Sequence, residues 1–131
     1  MLRNFALSLI ALLSVEAFAE VLTIEKRSHT IDGVTSHYVL EVDVEDIIMT
    51  PKLDPAIDEL PMSISKAINL AMSKYKENYK SEPWGIASVS LNHFPSWDYK
   101  DRWYFKVVIM GNPHVSVVVL FNEKVVFPNK Q

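Results

Sequence analysis

The sequence predicts an α+β fold in which an antiparallel β-sheet carries one long amphipathic helix on one face, in the order ββαββββ. Three observations predict it. Period-two alternation marks the segments on either side of Gly33; apolar residues spaced by three and four mark residues 63–80; and period two returns from Gly85 onward in four runs with short links. Such links permit only antiparallel pairing, because a parallel crossover takes about a dozen residues or more.

In the first hairpin Leu22 and Ile24 share a face, and Ser36, Tyr38, Leu40, Val42 and Val44 alternate with His37, Glu41, Asp43 and Glu45. The connection at Ile31-Asp32-Gly33 allows two registers. A two-residue Asp-Gly turn pairs Ile31 with Val34 and sets Ile24 opposite Glu41, apolar against charged. A three-residue loop with Gly33 in the left-handed region, forming a bulge, pairs Thr30 with Val34, Ile24 with Leu40 and Leu22 with Val42. The second keeps every apolar residue on one face and is the expected register.

Alternation stops after Glu45, and Pro51, Pro55 and Pro61 interrupt any regular element across residues 46–62. Ser63 is then a candidate N-cap for a helix whose apolar stripe is Ile64, Ala67, Ile68, Ala71, Met72, Tyr75 and Tyr79. Lys74, Lys76 and Lys80 complement the negative end of its dipole, and Pro83 stops it. From Gly85 a half-exposed strand alternates Ala87, Val89 and Leu91 with Ser88, Ser90 and Asn92. The strand Arg102–Met110 places Trp103, Phe105, Val107 and Ile109 on the helix side and Tyr104, Lys106, Val108 and Met110 on the other, and Gly111-Asn112-Pro113 ends it. His114–Phe121 and Val125–Phe127 are the last two strands, and the unbroken run Val117–Phe121 marks a central strand covered on both sides.

The first 19 residues read as an export signal: Arg3, an apolar run from Phe5 to Val15 too short to span a bilayer, and a cleavage site at Ala17-Phe18-Ala19. The expectation is a single domain of residues 20–131, periplasmic or secreted, with no membrane association after cleavage. Absence of cysteine excludes disulfides, thiolate metal sites and thiol nucleophiles. The net charge of −3 is uneven, with ten acidic and three basic side chains in residues 20–59 against five acidic and nine basic in residues 60–131. Two halves that neutralise one another argue against nucleic acid as a partner.

Candidate chemistry is sparse. No GxSxG, HExxH, P-loop or dinucleotide motif is present, and a chain with three glycines offers little for a phosphate-cradling loop, so the expectation is a protein that is not an enzyme and takes no cofactor. Glu41, Asp43 and Glu45 line one strand face, too extended for a calcium ion, and read as a solvated face paired with lysines nearby. His29 and His37 are diagonal neighbours in the expected register but lack a third ligand, so no metal is expected. Trp84, Trp97, Tyr99, Trp103, Tyr104 and Phe105 fall within 22 positions. Trp97 and Tyr99 sit in the polar connection Pro95–Asp101, where no core pattern requires them, and with Trp84 and Tyr104 they are the candidate binding residues.

The helix of residues 63–80, the strand beginning Trp103-Tyr104-Phe105 and the closing hairpin Val115–Phe127 resemble small exported bacterial domains of the PepSY-like type, over residues 61–131. That resemblance implies a non-catalytic interaction or inhibitory module. The expected function is therefore an exported accessory module that binds another protein through a sheet edge or through Trp97 and Tyr99. The alternative is a small-ligand or glycan binder with a groove between helix and sheet.

Overall fold

The computed structural model describes residues 20–131, so the export signal read in residues 1–19 lies outside the described residues. Nine elements follow: β1 (Val21–Ile31), β2 (Val34–Asp43), α1 (Val44–Met49), α2 (Ile64–Tyr79), β3 (Gly85–His93), β4 (Trp103–Met110), β5 (Val115–Val119), β6 (Val125–Val126) and β7 (Asn129–Lys130). All pairings are antiparallel, and the fold is α+β.

The strands form two sheets rather than the single sheet expected: β1-β2-β7 and β3-β4-β5-β6. Alternation shows that a strand has a buried face without showing what buries it. Helix α2 covers one face of the four-stranded sheet, where Ala67, Ala71 and Tyr75 meet Phe105, Val107, Ile109, Val117 and Val119. The β1–β2 hairpin covers the other, where Leu40 and Val42 meet Tyr104, Val118 and Leu120. Neighbouring residues of β5 thus serve two cores, as the unbroken Val117–Phe121 run predicts.

Helix α2 starts and stops on local signals. The Lys66 amide donates to the Ser63 side-chain oxygen at 3.1 Å, an N-cap, and Lys80 takes the left-handed conformation at φ 54° as the chain leaves the helix. Residues 44–49, expected as strand end and irregular chain, form α1 instead; Glu45 and Asp46 in its first turn favour the positive end of the helix dipole. Its last carbonyls are met from a distance: the Arg102 guanidinium donates to Ile48 O at 3.1 Å and to Thr50 O.

The hairpin departs from the expected register in an instructive way. Asp32 (φ 51°) and Gly33 (φ 78°) form the two-residue turn, with Ile31 opposite Val34. Two successive positive φ angles give a turn whose twist matches that of the flanking strands. The bulge lies within β1 instead, where the register shifts between Thr23 and Glu25; Leu22 still pairs with Val42, as expected, but Glu25 now stands opposite Leu40. Beyond the bulge Glu25, Arg27 and His29 therefore share the inner face with Leu40 and Tyr38, since directly opposed residues point the same way.

Ion pairs join the two halves of the chain as the charge distribution suggests. Lys124 reaches Asp46 at 2.6 Å and Asp43 at 4.0 Å, and Lys106 reaches Glu25 at 3.5 Å. The Asp46 hydrogen bond, aided by the acidic charges around it, holds the Lys124 ammonium above its usual pKa despite some desolvation. Among the described residues no helix is long and apolar enough to cross a membrane.

Candidate functional site

The four aromatic candidates have different fates. Trp97 is 80% exposed on a short 3₁₀ turn and Trp84 is 71% exposed just before β3, as binding residues require. Tyr99 is half-buried against the inter-sheet core. Tyr104 corrects the expectation: it is only 4% exposed, its ring 4.7 Å from that of Phe94, because the face of β4 turned away from α2 is covered by the hairpin and not by solvent. Trp84 and Trp97 lie beyond opposite ends of a nine-residue strand, about 30 Å of extended chain, so they belong to no common small pocket.

They bracket β3. Among the described residues this strand is the long edge of its sheet, the other edge being the two-residue β6, and its sequence Gly-Ile-Ala-Ser-Val-Ser-Leu-Asn-His contains no Asp, Glu, Lys, Arg or Pro. One register shift between Ile86 and Ser88 bends its beginning, leaving Ser88–His93 as a regular stretch paired residue for residue with β4. The other long edge, β1, differs: it carries Glu25, Lys26 and Arg27 beside its bulge, the devices by which proteins prevent unwanted strand addition. At the end of β3 a depression of about 640 Å³ opens between Trp97, Pro95, His93 and Trp103. Lys100 lies over the Trp97 ring at 3.6 Å, and the buried indole nitrogen of Trp103 has no hydrogen-bond partner among the described residues.

A second concavity, of about 310 Å³, opens between the inner face of the hairpin and the β4–β5 turn. Glu25, Arg27, His29 and Tyr38 form one wall, and Pro113, His114 and Ser116 the other, with Tyr79 at one end. The opposing wall is braced: the Tyr75 hydroxyl donates to Pro113 O at 2.8 Å, and the Gly111 amide donates to His114 Nδ1 at 2.9 Å, which leaves Nε2 as the donor of the neutral ring. Arg27 Nε donates to Glu25 Oε1 at 2.8 Å. Burial pushes the Glu25 carboxyl up, but the Arg27 hydrogen bond and the Lys106 and Arg27 charges together outweigh it and hold its pKa below the usual value. Burial raises the Tyr79 phenol, and burial followed by the Glu25 charge raises that of Tyr104. The Ser116 hydroxyl, in a residue only 3% exposed, has no hydrogen-bond partner among the described residues.

Sequence reasoning missed this cavity. With the bulge expected at the turn, Glu25, Arg27 and His29 face outward; moving it to Ile24 turns all three inward. The same change separates the histidine pair. His29 now pairs with Ser36 and packs edge-on against Tyr38, whereas His37 pairs with Ser28 on the opposite face and lies 2.8 Å from its hydroxyl. Among the described residues no three His, Asp or Glu side chains converge as metal ligands. No family model, curated protein or solved structure matches this chain.

Proposed function

We propose that this chain is an exported, non-catalytic module that binds another protein by accepting an extended segment of it along the free edge of β3. The observation that carries the reading is the regular, uncharged edge Ser88–His93. Its outward amides and carbonyls form a row that a partner strand completes with main-chain hydrogen bonds, the commonest way a sheet edge recognises an extended peptide. Trp97, at the end of that edge, supplies the rigid apolar contact that anchors such interfaces. The interaction role implied by a PepSY-like resemblance points the same way.

The test is capture from the extracytoplasmic fraction with the mature chain as bait, compared with a Ser88→Lys, Ser90→Lys variant and with Trp97→Ala. Both serines are exposed and Trp97 is largely free of the core, so each variant is expected to fold, checked by circular dichroism. A partner retained by the wild type and lost on both variants supports the reading. Equal capture by wild type and the lysine variant, or no partner at all, contradicts it. Concentration-dependent self-association abolished by the lysines identifies a second copy of the chain as the occupant and replaces the foreign partner.

A further inference from the structure

We propose that the cavity between the β1–β2 hairpin and the β4–β5 turn binds a small amphipathic carboxylate, an apolar body bearing a single carboxylate group. The site lies apart from β3, and neither reading depends on the other.

Size and lining suit such a ligand. A volume of about 310 Å³ is at the small end of ligand cavities, and Leu40, Val115 and Pro113, with the rings of Tyr38 and Tyr79, give it an apolar interior. Charge then selects the sign. The Glu25 carboxylate is met by two cations, Arg27 at 2.8 Å and Lys106 at 3.5 Å, so this corner carries an excess positive charge. Arg27 uses Nε for Glu25, while its two terminal nitrogens make no hydrogen bond among the described residues. Those nitrogens form the planar fork that fits a carboxylate bidentately. A cationic ligand would find the one acid already neutralised. A phosphate dianion would find, among the described lining residues, a single guanidinium.

Ser116 is the independent observation. Folded proteins leave few buried polar groups without a partner, and this hydroxyl, itself closed to solvent, belongs to a residue 97% buried that lines the same cavity. A χ1 rotation that turns it toward the cavity would let a ligand oxygen complete its hydrogen bonding.

The probes are octanoate for an aliphatic body, phenylacetate for an aromatic one, and octanol as the uncharged control. The reporter is intrinsic, because the Trp84 ring meets that of His114, a cavity residue, edge-on at 5.3 Å. A saturable fluorescence change with octanoate or phenylacetate is expected, confirmed by calorimetry, and the probe that binds tighter identifies the body. Octanol should bind about tenfold more weakly or worse, as loss of a charge-assisted hydrogen bond implies. Arg27→Gln should weaken carboxylate binding by about tenfold with the fold intact. Ser116→Ala should weaken it too, while leaving Tm unchanged or higher, since it removes a hydroxyl that the free protein leaves unsatisfied. Flat titrations with both carboxylates, octanol equal to octanoate, or full affinity in both variants would overturn the proposal.

Discussion

Gly111 sits where the β4–β5 turn passes helix α2, and a Cβ added there would strike the Tyr75 hydroxyl. That hydroxyl is committed to Pro113 O at 2.8 Å and its ring is fully buried, so it has nowhere to go. Gly111→Ala is expected to destabilise by about 1–3 kcal/mol, the usual cost of overpacking, measured by urea unfolding. Adding Tyr75→Phe removes the obstructing atom, so the double variant should lose less than the sum of the singles. Glu25 gives a second expectation, in pH. Its folded pKa lies below the ordinary carboxylate value, so between the two values the unfolded chain binds more protons and stability rises with pH. The contribution is complete above the unfolded value and lost as pH falls through the folded one. Thermal melts from pH 6 to 3 should show a decline that is shallower in Glu25→Gln; identical slopes would remove the ion cluster from the account.

At the scale of elements, what was legible follows the strength of local signals. Ser63, the Ala67-Ala71-Tyr75 stripe and Pro83 mark α2 without ambiguity, and β3 to β6 follow from alternation between turn residues. The bulge was legible in kind but not in place. The pattern demanded one extra residue in the hairpin, and the Asp32-Gly33 pair satisfied its turn without it, so the surplus moved to Ile24. Helix α1 was hidden because its six residues lack a side-chain N-cap and, beyond the local Thr50 amide and hydroxyl that meet Ile47 O, depend on a distant partner. Arg102, at the start of β4, ties the α1 carbonyls of Ile48 and the following Thr50 to the far sheet. Arg102→Ala is expected to cost about 1.5–3 kcal/mol, as hydrogen bonds from charged groups do. Native-state hydrogen exchange should show the loss concentrated in residues 44–52, with α2 keeping its relative protection.

At the scale of the molecule, two layers of packing on one sheet decide where binding surfaces are possible. Sequence alternation places Tyr104 on a face opposite Phe105, but only the hairpin laid across that face shows it to be core. The same hairpin creates the carboxylate cavity, whose residues come from segments 25–40 and 112–116 with Tyr79 and Pro128, and so have no local signature in the chain. Trp97 was readable beforehand because a loop aromatic declares itself locally, whereas the strand order that makes β3 an edge was not. The central claim is that β3 is completed by a partner strand, and amide hydrogen exchange with the captured partner tests it most directly. Without partner, alternate amides of Ser88–His93 should exchange rapidly while the others, bonded to β4, are protected; with partner bound, the fast set should slow by at least about tenfold. Protection that arises elsewhere and leaves those amides fast would contradict it.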